Sequence, residues 1–275
     1  MFLLYNVVDP CQKKLGRTWH PFAKAFPFFH IMREHIGLNV VKSNPKVFDK
    51  WEAKEGAQCI FAIFPHGVGS DFRVLLQGML PDFLPNIHEK VRSLAASVLF
   101  QLPLLRLITL MTGCVDAGRA TATYNLKKGN SLIILPGGEQ EQLLTKKGVE
   151  CVYVKKRKGF VKLAMARGIP VVPTYVFGCN DLYETKEAGP IRFWLMKNMH
   201  VCLPNARGLY GTYCPYPVKN TVVVGDPVTF PTKEKGVVTQ EELDEAHALF
   251  VDKLKELFDK HKGPLGYGDR ELIVV

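Results

Sequence analysis

The chain has 275 residues, 47% of them apolar and 23% charged, with a mean hydropathy of +0.01. That balance excludes a disordered, collagenous or polytopic membrane chain and leaves enough residues for one large domain with a sizeable core. Lysine and arginine outnumber aspartate and glutamate 36 to 26, a net charge of +10. The surface therefore attracts phosphates, whether on nucleic acid, membrane or cofactor.

No zinc-finger spacing, RNP motif or long basic tail is present, so nucleic acid is not an expected partner. The seven cysteines are scattered, odd in number and without a C-x-x-C pair, which points to thiols in a reducing compartment and to no metal site. The first ten residues lack a positive leader and are too short to serve as a signal or a spanning helix.

In chain order, residues 19–32 form a phenylalanine-rich stretch that reads as a core-facing segment or an interfacial membrane anchor. From Gln58 the pattern alternates β and α. A buried-type strand over 59–64 runs into Pro65-His66-Gly67, followed by a segment reaching about Leu80. Residues 94–115 are almost wholly apolar, and Pro103 and Arg106 near their middle favour a buried helix over a membrane span.

A second strand over 131–135 leads into Pro136-Gly137-Gly138. A helix over 159–167, stopped by Gly168, precedes a strand over 169–177. Another strand ends at Gly225. Thr239 and Glu242 then form a capping box that opens a helix carrying Leu243, Ala246, His247, Phe250, Leu254, Leu257 and Phe258 on one face, and Gly263 ends it. Continuous apolar strands alternating with helices predict an α/β fold with a mostly parallel central sheet covered on both faces. No linker divides the chain, so 1–275 reads as one domain, with 1–57 as a lead-in, membrane-facing segment.

In such sheets reactive groups collect just past the carboxyl ends of strands. His66 and Asp71 stand there in a His-x4-Asp arrangement that suits a base and the carboxylate orienting it, provided His66 lies on the loop before the first helical turn. Ser70 as a nucleophile is the weaker alternative, because its surroundings are not G-x-S-x-G. Gly137, Gly138, Glu139 and Glu141 form a second cluster, in which the carboxylates would accept a substrate hydroxyl or hold a basic residue. The run Lys155-Lys156-Arg157-Lys158 precedes Gly159 at a helix start, where cations are unfavourable unless an anion is bound. Arg106 in an apolar stretch requires a carboxylate or phosphate partner.

Taken together, Phe26-Pro27, Pro65-His66-Gly67, Pro103-Leu104-Leu105-Arg106, Gly137-Gly138-Glu139-Gln140-Glu141, Arg157-Lys158-Gly159-Phe160, Pro173-Thr174-Tyr175-Val176-Phe177-Gly178 and Asn180-Asp181 resemble, in order, the signature blocks of the type-2 diacylglycerol acyltransferases. The resemblance covers the chain from about Trp19 to its last helix. It implies a glycerolipid-acyltransferase architecture and transfer of a fatty acyl group from acyl-CoA to a neutral lipid hydroxyl, most directly diacylglycerol. Monoacylglycerol, wax-alcohol and lysophospholipid acceptors, and a catalytically silent lipid-binding homologue, are the alternatives. Acyl-CoA enters as co-substrate and no cofactor is implied. A membrane surface is an implied partner, and the location is the cytosolic face of the endoplasmic reticulum or lipid droplets.

By the same resemblance His66 is the catalytic histidine, and the His-x4-Asp spacing makes Asp71 the carboxylate that orients it. Gly67, Arg106, Gly137, Gly138, Glu139, Glu141, Arg157, Lys158, Gly159 and Asn180 contact substrate, Arg157 and Lys158 through the CoA phosphates. The sequence departs from the family pattern in three places. Phe64 replaces the first histidine of His-Pro-His-Gly. Asp71 completes a pattern of the broader glycerolipid acyltransferases that the type-2 branch usually lacks. The apolar hairpin that commonly precedes the Phe-Pro block has no counterpart here, which means either a truncated chain or membrane contact through surface aromatics and charge.

Overall fold

The central strands form where β-branched, aliphatic and aromatic residues run together. In chain order the strands are β1 (Asn39–Lys42), β2 (Ile60–Phe64), β3 (Val91–Ala95), β4 (Cys114–Asp116), β5 (Ser131–Ile134), β6 (Glu150–Val152), β7 (Val171–Phe177), β8 (Glu184–Thr185), β9 (Ala206–Arg207), β10 (Thr221–Val224) and β11 (Leu272–Val274). The helices are α1 (Pro27–His35), α2 (Pro45–Glu52), α3 (Asp71–Leu76), α4 (Leu80–Phe83), α5 (Pro103–Met111), α6 (Arg119–Lys127), α7 (Gly138–Leu144), α8 (Gly159–Met165) and α9 (Gln240–Lys262). This computed structural model describes residues 10–12, 14, 16, 25–101, 103–186, 189–190, 194, 198, 206–231 and 238–275.

Seven strands make one sheet in the order β1-β10-β7-β2-β5-β3-β4. The strands β7, β2, β5, β3 and β4 pair in parallel, and β10 joins β7 antiparallel while pairing in parallel with β1. The mostly parallel sheet expected from the sequence is therefore present, with two edge strands running the other way. β2 lies at the centre and is buried along its whole length. Because side chains alternate across a strand, Phe61 and Ile63 face one core with Phe48, Phe72, Leu75 and Leu76. Ile60, Ala62 and Phe64 face the other, with Ala122, Phe160 and Phe250.

The capping box of α9 forms as the sequence predicts, with Thr239 Oγ1 accepting from Glu242 N and Glu242 reaching back to Thr239 N. Its apolar face closes the second core, where Phe258 stacks on Phe177 at 5.3 Å between ring centroids. Phe64 is fully buried and faces Phe250 at 6.3 Å. The position of the first histidine of His-Pro-His-Gly is here a core residue.

The apolar run 94–115 is not one helix. β3 ends at Ala95, a 3-10 turn spans Ser97–Phe100, α5 follows, and β4 pairs alongside β3 with Ser93 opposite Cys114. Pro103 opens α5, and Gly113, at a φ of +71° and pressed against the Gln77 amide, closes the turn into β4. Two parallel strands and their crossover account for the hydrophobicity, and among the described residues no helix is long and apolar enough to cross a membrane. Residues 27–52 also belong to the domain itself, since β1 hydrogen-bonds to β10 and Phe48 is fully buried. The stretch 19–24 lies outside the described residues. From Pro27 onward α1 buries Phe29 and leaves Phe28 and Ile31 exposed.

A polar knot fastens the carboxyl end of β7 to the end of the chain. Glu150 is buried and accepts from Tyr175 Oη at 2.6 Å, Arg270 Nη1 at 2.8 Å and Asn180 Nδ2 at 3.1 Å. Arg270 also meets Asp181 at 2.8 Å, and Asp181 accepts from Gly148 N at 2.9 Å. Removing the guanidinium leaves a buried carboxylate without its countercharge. Arg270→Met is predicted to cost about 3 kcal/mol, read as a lowered urea midpoint. Adding Glu150→Gln should recover part of that loss.

Candidate active site

The loop after β2 is built around Gly67. Its φ of +65° is a left-handed conformation, and a Cβ there would overlap Cys179 Sγ, so this turn requires glycine. Ser70 follows in the same left-handed region at φ +52° and sets the start of α3. The chain reversal brings Ser70, rather than Asp71, beside the His66 ring.

Ser70 Oγ lies 3.1 Å from His66 Nδ1 and 3.2 Å from Nε2, and its hydroxyl donates to the His66 carbonyl at 3.0 Å. His66 Nδ1 stands 3.1 Å from the Gly67 carbonyl oxygen. A carbonyl only accepts, so that contact places the proton on Nδ1 and leaves the lone pair on Nε2. Burial lowers the pKa of His66 below its ordinary value, the Gly67 carbonyl opposes this, and the Arg73 charge adds to it. The ring is accordingly neutral at physiological pH, the state a general base requires.

Asp71 does not orient this ring. Its carboxylate accepts the Tyr183 hydroxyl, and burial raises its pKa against that bond. At the first residue of α3 it lies beyond the turn that delivers Ser70, and the orienting group the sequence assigned to Asp71 is supplied by the Gly67 carbonyl.

Glu141 is the other feature that sets the site, and it lies behind the cavity rather than in its lining. Its carboxylate is 1% exposed. One oxygen accepts from the His66 backbone N–H and the other from Tyr153 N at 2.7 Å. On the adjacent position of α7, Gln142 Nε2 donates to the Val68 carbonyl. Gly137 is where a Cβ would overlap the Glu141 carboxylate, so it makes room for this clamp. Burial pushes the Glu141 pKa up to about 7, with the Tyr153 and His66 amides and the Arg157 charge opposing.

A cavity of about 1290 Å³ opens beside His66. Of the residues singled out in the sequence, its lining brings together His66, Gly138, Glu139, Arg157 and Gly159. Gly67 and Gly137 shape the loops behind it. Arg106 is not in the lining; it is 1% exposed on α5 and donates to Gln12 Oε1 at 3.3 Å. Lys158 turns outward to pair with Asp244 at 2.6 Å, and Asn180 sits in the knot around Glu150. The basic run thus divides, with Lys156 and Arg157 facing the cavity. Arg157 lies over the Tyr153 ring at 5.2 Å and reaches the Gly137 carbonyl at 3.5 Å, while its buried Nε has no hydrogen-bond partner.

Sequence reading missed five cavity cations: Arg73, Arg119, Lys127, Lys162 and Arg167. Arg119 and Lys127 open and close α6, Lys162 lies on α8 and Arg167 two residues past its end, so the four mark a shared face only once both helices are placed. Glu139 is the one carboxylate among the described lining residues. Leu94, Val98, Leu99, Ile134 and Phe160 supply apolar wall. Among the described residues no cluster of side chains is arranged to hold a metal ion, and the cysteines are unbridged.

A family model described as diacylglycerol acyltransferase matches residues 44–275. The chain belongs to the diacylglycerol acyltransferase family. It is 34% identical to diacylglycerol O-acyltransferase 2 of Mus musculus over 96% of this chain and 70% of that protein. It is 30% identical to the protein of the same name from Bos taurus, over 100% of this chain and 78% of that one. With 2-acylglycerol O-acyltransferase 1 of Mus musculus the identity is 30%, over 94% and 79% of the two chains.

The raised pKa of Glu141 carries a sign. A carboxyl whose folded value exceeds its unfolded value favours the fold below the unfolded pKa and loses that contribution as pH rises through the folded one. Relative to Glu141→Gln, the wild-type protein is therefore predicted to lose stability between pH 5 and pH 8, by roughly 2–3 kcal/mol. Paired denaturant titrations across that range measure it, and a pH-independent difference would contradict the assignment.

Proposed function

We propose that this chain transfers a fatty acyl group from acyl-CoA to the hydroxyl of a neutral glycerolipid, diacylglycerol first, giving triacylglycerol. The observation that carries the reading is His66 held with Nδ1 on the Gly67 carbonyl, at a cavity that is apolar on one side and strongly basic on the other. The named activity of the relatives supports the same reaction.

In the proposed reaction the acceptor hydroxyl gives its proton to His66 Nε2 as its oxygen attacks the thioester carbon. The C–S bond then breaks, and the coenzyme A sulfur leaves as thiol with the proton returned by the imidazolium. The positive charge that forms on the ring is stabilised through Nδ1–H by the Gly67 carbonyl. No acyl-enzyme is needed, because the thioester is already activated. The Ser70 hydroxyl proton is engaged by the His66 carbonyl, which fits a loop-fixing role. Apolar walls shield the thioester from water.

Monoacylglycerol is the second acceptor the reading admits, favoured by the 2-acylglycerol relative. Action at the cytosolic membrane surface of the endoplasmic reticulum or of lipid droplets is part of the proposal. It is supported by the exposed Leu104, at 70%, with Leu105 and Leu107 on α5, by Phe28 and Ile31 on α1, and by the positive charge of the chain.

Labelled oleoyl-CoA offered with diacylglycerol, monoacylglycerol, fatty alcohol or lysophosphatidate tests the reaction and ranks the acceptors. His66→Ala should lower kcat/KM by about 10³-fold. Asp71→Asn and Ser70→Ala should each stay within roughly tenfold of wild type, since neither supplies the base. The acid limb of the wild-type pH profile should fall below the usual histidine value of about 6.5. Loss of activity in Ser70→Ala equal to that in His66→Ala would instead indicate an acyl-serine route.

A further inference from the structure

The cavity beside His66 is a groove with a direction. α6 begins past the carboxyl end of β4 and leads back to the start of β5, and α8 begins past the carboxyl edge and leads back to the start of β7. The two helices therefore run side by side down one face of the sheet, away from His66. The floor between them is Ile60, Leu132 and Ile134, the first two being opening residues of β2 and β5. Nine residues of α6 span about 13 Å, so the groove runs from the catalytic ring to the amino-terminal edge of the sheet.

Its margins are cationic at both levels. Arg119 stands at the His66 end, and Lys127 and Arg167 stand at the far end with Lys162 between them. Among the described residues none of these four has an ion-pair partner, whereas Lys158, one residue before α8, is paired with Asp244. An apolar floor between unpaired cations does not suit a fatty chain along its length, because the chain would neutralise none of them. It suits a slender, partly polar arm that ends in clustered phosphates.

Resting on the acyl-transfer reading above, we propose that the α6–α8 groove holds the coenzyme A part of the donor. The thioester lies at His66, the pantetheine arm runs over Ile60, Leu132 and Ile134, and the nucleotide phosphates lie among Lys127, Lys162 and Arg167. The acyl chain then leaves His66 in the other direction, along Leu94, Val98 and Leu99. The cations that read the phosphates are thus on α6, on α8 and just past its end, and Lys156 and Arg157 contribute only the near part of the wall.

The test compares two donors that differ only beyond the pantetheine arm. For Lys127→Ala/Arg167→Ala, the ratio of kcat/KM for oleoyl-CoA to that for oleoyl-pantetheine should fall by at least about tenfold. Titration calorimetry should show the same weakening for coenzyme A itself, with Lys162→Ala in the same direction and Lys158→Ala unaffected. Calorimetry does not depend on turnover, so the two readings separate. Wild-type coenzyme A binding that the double variant loses, in a protein that acylates no acceptor, would retain the groove and overturn the reaction. Turnover with an unchanged donor ratio and unchanged coenzyme A affinity would retain the reaction and overturn the groove.

Discussion

A single buried carboxylate decides where the His66 ring sits. Glu141 accepts the His66 amide with one oxygen and the Tyr153 amide with the other, so the turn after β2, helix α7 and the segment after β6 are held to one point. A carboxylate taken out of water is costly unless its lone pairs are satisfied, and these two amides are the compensation. The arrangement also explains local glycine use. Gly137 leaves space for the carboxylate, and Gly67 lets the chain turn against Cys179. With the backbone fixed, the ring needs one further contact to set its tautomer, and a carbonyl one residue away provides it.

The same economy separates two kinds of polar network around the sheet. The Glu150–Arg270–Asp181 knot closes the fold and lies outside the cavity lining. The Glu141 clamp borders the chemistry and carries a carboxyl whose burial pushes its pKa up to about 7. Residues as close in sequence as Arg157 and Lys158 fall on opposite sides of this division. Arg157 has a buried, unpartnered Nε at the cavity, and Lys158 is committed to an ion pair with α9.

What was legible in the sequence follows from how local each signal is. The buried strands β2, β5, β7 and β10, the α9 capping box and the loop position of His66 are local patterns, and they stand close to where the sequence places them. The run 94–115 misled because hydrophobicity does not distinguish two buried parallel strands and a short helix from one long helix. Asp71 misled because spacing says nothing of a left-handed residue between it and His66. Arg106 and Asn180 carry motif positions but serve packing and the β6–β7 junction. The cations of α6 and of the α8 region were invisible until two helices separated by β5, α7 and β6 were set side by side.

As the proposed base, His66 Nε2 must meet the thioester inside this cavity. The most direct measurement is a crystal structure with a ketone analogue of oleoyl-CoA, in which a methylene between sulfur and carbonyl prevents transfer. The account predicts the carbonyl within about 4 Å of Nε2, a distance that leaves room for the acceptor oxygen between them, with Nδ1 still on the Gly67 carbonyl. An analogue bound with its carbonyl remote from that ring, or a ring turned so that Nδ1 faces the ligand, would contradict it.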